Sequence, residues 1–409
     1  MLKRAMHRLL VKKHFWRYAS FGDLVDLYSS NMLRAVASSL FSIFVPVFLL
    51  KSGYSVFQVC LYYLFYFFIR FLADIICGFA IAKIGPKHAW IVSHLANILS
   101  LLSLLMLPQY SILFFVSATF NAIGSSFQFV PLNVDFSKIK HAEHNGKEQS
   151  FFLMLEKVGS AVGPLLGGYI AATYGASYTI LASVAIYLLS LIPLLASPEP
   201  TELSQRITFK GFPFKKLWRD IASNCARATD ATVTMGMWPI FMTIAIFKTD
   251  TYQSIGFIST ASIVVALSST FLIGRLIDTK KSLLLLRISV IGDSLIYIAR
   301  IFSRTLPAAF AVNAANEVAV AGVSMSYLKG AYSAADDLPG YRIVYFVVLE
   351  AIGEIPKFIM WAVLAALTLN ISDISALKVC FGISAVLVLF IMLEKFKALR
   401  PGFFARLIQ

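Results

Sequence analysis

Stretches of about twenty apolar residues, separated by short polar links, run along almost the whole chain, and each is long enough to cross the hydrocarbon core of a bilayer as a helix. They fall at about residues 31–52, 54–82, 88–107, 111–133, 150–173 and 177–196. After a polar segment at 197–219, six more follow at about 220–247, 253–277, 282–302, 306–328, 341–369 and 373–395. The pattern predicts an all-α membrane protein with twelve transmembrane helices, numbered here in that order. It divides the chain into an N-terminal segment (1–29), a first bundle of six helices (30–196), a linker (197–219), a second bundle (220–395) and a tail (396–409).

Composition agrees and removes alternatives. Of 409 residues, 58% are hydrophobic and only 14% charged, and a mean hydropathy of +0.77 is too high for a soluble chain. The formal charge of +15 would suit a nucleic-acid partner if the basic residues gathered on one exposed surface. They are instead scattered among the links, so the expected partners are lipid and a small molecule. Cys60, Cys77, Cys225 and Cys380 lie in or beside apolar runs, without the paired spacing of a metal site or a disulfide framework, and neither metal nor cofactor is expected. The N-terminal segment carries Lys3, Arg4, Arg8, Lys12, Lys13 and Arg17 among apolar residues, with no acid before Asp23. It reads equally as an amphipathic helix on an anionic membrane face and as a basic tail that only fixes topology. A mitochondrial presequence is a lesser reading, and a removed signal peptide is not expected.

Lys and Arg concentrate in the N-terminal segment, in the links at 83–88, 137–148, 275–281 and 329–342, in the linker and in the tail. The alternate links, such as 108–110 and 173–177, hold few or none. By the positive-inside rule both termini are cytoplasmic, in a cell membrane, with Arg300 and Arg304 as exceptions.

The two halves repeat each other. Ser30-Asn31-x-x-Arg34-Ala35 opens helix 1, and Ser223-Asn224-x-x-Arg227-Ala228 opens helix 7. Each then reaches a proline at the same distance, Pro46 and Pro239, and Leu155-Glu156-x-x-Gly159 in helix 5 is answered by Leu349-Glu350-x-x-Gly353 in helix 11. A parallel six-plus-six duplication places a site between the halves near the bilayer midplane. Helix 5 continues with Gly163, Pro164, Gly167 and Gly168; Gly159, Gly163 and Gly167 fall on one face and invite close approach of a neighbouring helix.

On these residues the chain resembles the major facilitator superfamily of secondary transporters over about 20–397. Gly159, Gly163, Pro164, Gly167 and Gly168 match the family's G-x-x-x-G-P-x-x-G-G motif of helix 5, commonest in antiporters. The link between helices 2 and 3 keeps Gly78, Lys83, Gly85 and Lys87 of the family's G-x-x-x-D-[RK]-x-G-R-[RK] pattern but has Ala82 in place of the acid. The link between helices 8 and 9 keeps Gly274, Asp278, Lys280 and Lys281 and loses the second glycine. The resemblance implies alternating access and a central cavity lined by helices 1, 4, 7 and 10. Polar residues recur at helical spacing on those four: Arg34, Ser38 and Ser42; Asn121, Ser125 and Gln128; Arg227, Asp230 and Thr234; Asn313, Glu317 and Ser324, with Asn316 beside Glu317. Four coincident polar faces suggest a wet cavity; for any one residue taken alone, gluing helices together is a strong alternative, but it is a weaker account of four helices at once.

Within the spans five bases, Arg34, Arg70, Lys157, Arg227 and Lys357, face seven acids, Asp74, Glu156, Asp230, Asp293, Glu317, Glu350 and Glu354. At about 2.5–3.5 kcal/mol for a charge at the centre of an isolated span, most must face protein or water rather than lipid. Three pairs can close on their own helices: Arg70 with Asp74, expected near the cytoplasmic end, Arg227 with Asp230, and Glu354 with Lys357. Glu317 has no such partner, and a desolvated carboxyl so placed can take up and release a proton as water access changes. It is the first candidate for proton coupling, with Glu354 and Asp230 behind it. Asp293 is assigned to structure. Arg34 and Arg227, at matching positions, either clamp an anion or, as preferred, close a gate. Glu156 and Glu350 are assigned to the inner gate, and Pro356 puts a hinge beside Glu354.

No Walker loop, HExxH or GxSxG occurs. The expected function is therefore secondary transport of a small organic solute, with proton-coupled efflux favoured and no enzymatic activity. An uptake permease or uniporter is the alternative, and a receptor or enzyme on the same scaffold a remote one. The expected oligomeric state is a monomer.

Overall fold

The computed structural model describes residues 21–138, 145–196, 207–247, 250–278, 282–338, 340–396 and 399, and their side chains except at 21–27, 133–138, 145–154, 270–278 and 336. The N-terminal basic segment up to residue 20 and most of the tail lie outside these residues. Among the described residues, twelve helices cross the molecule. The first six are α1 (Phe21–Phe41, continued by Ser42–Phe44 and Val45–Lys51), α2 (Val56–Ile84), α3 (Pro86–Leu105), α4 (Leu113–Lys138), α5 (Asn145–Thr173) and α6 (Ala176–Ala196). The second six are α7 (Phe214–Thr232, continued to Ile246), α8 (Thr251–Asp278), α9 (Ser282–Phe302), α10 (Leu306–Asp336), α11 (Arg342–Thr368) and α12 (Asp373–Leu387, continued by Val388–Leu393). Several run past their apolar stretches, α4 and α10 by a turn or more, because backbone hydrogen bonding continues beyond the membrane surface.

Packing follows the repeat. In the first bundle α1 lies on α5 and α6, α2 on α4, and α3 on α4 and α6; in the second α7 lies on α11 and α12, α8 on α10, and α9 on α10 and α12. Each contact in one half thus has its counterpart six helices later. Two long seams join the halves, α2 against α11 and α5 against α8. Among the described residues, nine helices are apolar enough to cross a membrane on composition alone. The three left over are α5, α7 and α11.

The shared prolines are accommodated in opposite ways. Pro46 has no N–H to give the Ser42 carbonyl, which is instead taken by Val45 N–H in a tight 3-10 turn at Ser42–Phe44. Around Pro239 the chain widens, with π turns at Val233–Met237 and Met242–Ile246 flanking Trp238–Phe241. Beyond these points Val45–Lys51 packs on Trp238–Phe241 and brings the halves together on the face opposite the termini. At the α2–α3 turn Gly85 has φ +81°, a conformation that favours glycine, and its N–H reaches the Ile81 carbonyl at 2.9 Å.

Candidate functional site

Arg70 lies at the midpoint of α2, fourteen residues from each end of Val56–Ile84. It is therefore at mid-depth rather than near one end. Its guanidinium does not turn to Asp74 on its own helix. It crosses the seam to α11, with Nε 3.3 Å from Glu354 Oε1 and a terminal nitrogen 3.6 Å from Glu350 Oε2. Lys357 Nζ reaches the same Glu354 oxygen at 2.7 Å, so the pair expected on α11 forms and a second cation joins it. Arg70 also donates to Tyr66 Oη at 3.2 Å, which donates to Ser125 of α4 at 2.9 Å. Rings enclose the group: Phe129 lies under Arg70, Phe67 under Lys357, and Tyr63 stacks on Trp361 at 4.2 Å. Glu354 and Asp74 are both 0% exposed.

A second polar cluster sits within the C-terminal half. Asp230 does not close on Arg227; it accepts from Tyr297 Oη of α9 at 2.6 Å. Thr234, one turn further along α7, meets the same hydroxyl at 3.2 Å and accepts from Arg300 at 3.0 Å. Asn316 of α10 donates to Asp293 at 3.0 Å. Arg300, read from the sequence as a breach of the charge rule, is 0% exposed and stacks over Trp238 and Tyr297. Its charge is sealed within the bundle rather than presented at a membrane surface. Sequence reasoning missed it, although Asp293, Tyr297 and Arg300 follow the i, i+4, i+7 spacing of one helix face.

The glycines of α5 face α1. A Cβ at Gly159 would lie 2.8 Å from the Met32 carbonyl, and at Gly163 and Gly167 it would collide with Ser39 and with the Leu40 backbone. The other side of the same turn meets α8: Gly168 abuts Tyr252 and Gly256, and Gly256 abuts the Pro164 carbonyl. There Thr260 inserts its hydroxyl into α5, donating to the Ala161 carbonyl at 2.7 Å and accepting from Leu165 N–H at 3.0 Å. Those two backbone groups are i, i+4 partners beside Pro164, so a residue of one half supports the proline-bearing turn of the other.

Charged residues nearer the terminal face also pair. Arg34 reaches Glu156 at 2.7 Å and is held by Asn31 at 3.0 Å. Arg227 repeats the Asn contact, with Asn224 at 3.1 Å, but stacks on Tyr327, while Glu350, the repeat of Glu156, turns to Arg70. Gly353 repeats the close approach of Gly159 more loosely, since a Cβ there would lie 3.2 Å from Asn224, and Pro356 lies inside an unbroken α11. Glu317, without a partner on its own helix, is 3.2 Å from Lys157 Nζ of α5. Thus Glu156 and Lys157, adjacent in sequence, serve contacts within and between the halves.

Much of the remaining polar stripe joins helices. Ser38 sits beside Tyr187 of α6, and Asn121 beside Tyr62 of α2. The Gln128 carbonyl takes the Trp90 indole N–H at 3.2 Å, and Gln128 and Asn313 are buried. Gly78 abuts Val347 across the α2–α11 seam, Lys87 is buried, and Lys83 is exposed at the end of α2. Gly274 and Asp278 fall where the side chains of α8 lie outside the described residues, and Lys280 and Lys281 are outside altogether.

A duplicated twelve-helix bundle, joined by two seams and holding ion pairs between its halves, is the architecture of a secondary membrane transporter. The sequence profile of the Major Facilitator Superfamily matches residues 27–343, and the chain belongs to that family. No curated protein matches the chain. Solved structures share the fold at low identity. The E. coli fucose:proton symporter FucP is 15% identical with a TM-score of 0.62, over 90% of this chain and 97% of its own. The nucleoside transporter NupG is 11% identical with a TM-score of 0.68, over 91% and 99%. The human organic anion transporter MFSD10 is 14% identical with a TM-score of 0.67, over 90% and 98%.

Proposed function

We propose that this protein is a proton-coupled secondary transporter that exports a small organic solute by alternating access. The observation that carries proton coupling is the burial of carboxyls at mid-depth: Asp230 and Glu354 lie at the centres of α7 and α11, and Asp74 and Asp293 are 0% exposed. Buried carboxyls at such depth are expensive in a membrane protein and mark ion pathways. Glu317, its side chain 22% exposed and paired with Lys157, is not one of these buried carboxyls, contrary to the expectation from sequence; it remains the first coupling candidate because Lys157 comes from the other half and leaves it when the halves separate. The glycine–proline turn of α5 supports export. The Lys and Arg of the links and termini support a cell-membrane orientation with both ends cytoplasmic, and the protein is read as a monomer.

The test uses proteoliposomes with imposed pH gradients of either sense. Export predicts accumulation driven by a gradient that returns protons in exchange for solute, and Glu317→Gln should abolish that accumulation while sparing solute exchange. Unchanged proton-driven accumulation removes Glu317 from the role, and dependence on the opposite gradient makes the protein an uptake permease. The Arg34–Glu156 pair favours a gate over an anion clamp, since the guanidinium already has its carboxylate.

A further inference from the structure

Asp74 is the acid of the α2–α11 seam left without a hydrogen bond. It is 0% exposed, and neither carboxyl oxygen has a hydrogen-bond partner. The Ser126 hydroxyl of α4 lies beside Asp74 and donates to the Arg70 carbonyl at 3.4 Å. Arg70, one turn back on the same face, is the natural partner for Asp74 at i, i+4 spacing, yet it is committed across the seam to Glu354 and Glu350. The titratable groups facing Asp74 are Arg70 and Cys77 from its own helix and Glu350 and Glu354 from α11. Tyr66 and Lys357 lie behind them, and α4 brings only Ser126.

We propose that Arg70 is a two-position switch thrown by a proton on Asp74. With Asp74 protonated, Arg70 has no anion on its own helix and bonds Glu354 and Glu350, which ties the two bundles together at mid-depth, as the structure records. When Asp74 gives up its proton to water, its carboxylate competes for Arg70 from 4 residues away. The guanidinium swings back to α2, Glu354 keeps Lys357, and the tie across the seam is lost. The proton is only bound and released, and no other bond changes. The i, i+4 pair legible in the sequence is thus the second position of the switch. This proposal rests on proton coupling as the function and adds a proton-binding residue, Asp74, to it.

Spin labels at the exposed positions Ile76 on α2 and Ile355 on α11, in a cysteine-free background, report the seam. Infrared difference spectra report protonated carboxyls. In the unaltered protein, raising pH from about 5 to about 9 should broaden the label distances and bleach a carboxyl band. Asp74→Asn should remove that band and hold the seam closed at every pH. Glu354→Gln should act the opposite way, removing the nearer anion that draws Arg70 across the seam and leaving the seam loose even in acid. A seam that still responds to pH in Asp74→Asn overturns the switch while leaving proton coupling intact. Opposite locking by the two variants also excludes simple misfolding, which would loosen both. If the unaltered protein shows no titrating carboxyl and no proton-driven transport, the functional reading itself fails.

Discussion

Replacing Gly167 by alanine puts the α1–α5 contact under a direct test. The added methyl would overlap the Leu40 carbonyl oxygen and lie 2.9 Å from its carbon and 3.1 Å from its Cα. All three are backbone atoms, so no side-chain rotation relieves the overlap. To reach an ordinary C···O contact the two helices must part by about 1.5 Å, which also loosens the neighbouring contacts at Gly159 and Gly163. Overpacking of this kind costs about 1–3 kcal/mol, and a rigid obstacle belongs at the upper end. The control is Gly292→Ala in α9, where a Cβ meets nothing within 4 Å. Both changes gain the same helix propensity, up to about 1 kcal/mol, so it cancels in the comparison. Thermal unfolding in detergent should place Gly167→Ala several degrees below Gly292→Ala. Equal melting temperatures would show that α1 and α5 are not in backbone contact at Leu40, and the packing account of the glycine motif would fall with it.

Two further outcomes follow from the same contacts. Thr260→Val keeps the shape of the side chain but removes both bonds to the Ala161–Leu165 turn; at about 0.6 kcal/mol per hydrogen bond inside a membrane protein, the loss is about 1 kcal/mol. An unchanged unfolding temperature and an unchanged α5–α8 crosslink would show that this hydroxyl does not support the seam. Glu156→Gln leaves the buried Arg34 without its anion and should destabilise by about 1–3 kcal/mol, whereas Glu350→Gln weakens a longer, 3.6 Å contact to Arg70 and should cost less. If crosslinking across the terminal face finds the balance of inward-open and outward-open states untouched in both variants, neither carboxylate belongs to the gate.

The helices and their two groups of six were legible because length and hydropathy constrain a membrane span independently of its partners. The glycine face of α5 was legible too, since Gly159, Gly163 and Gly167 share a face whatever lies opposite. Ion pairing was legible only where the partner sits on the same helix, as for Glu354 and Lys357. For Arg70, Asp230 and Glu317 the partner comes from another helix, and spacing along one segment carries no trace of it. Arg300 was misread for a related reason: its position near a helix end places its backbone near the surface, while its long side chain runs back to Thr234 and Trp238. The polar stripe on helices 1, 4, 7 and 10 had two readings, and residues such as Ser125, Thr234 and Asn316 are now seen to join neighbouring helices.

The different turns at Pro46 and Pro239 have a geometric consequence for the contact between the halves opposite the termini. A 3-10 turn has 3.0 residues per turn against 3.6 in an α-helix, so three residues overwind the chain by about 60°; a π turn unwinds it instead. Past the prolines, positions that correspond in the two sequences therefore point in different directions. The repeated sequence thus closes that face with a contact that lacks two-fold symmetry, so any opening made there when the halves part is handed from the start.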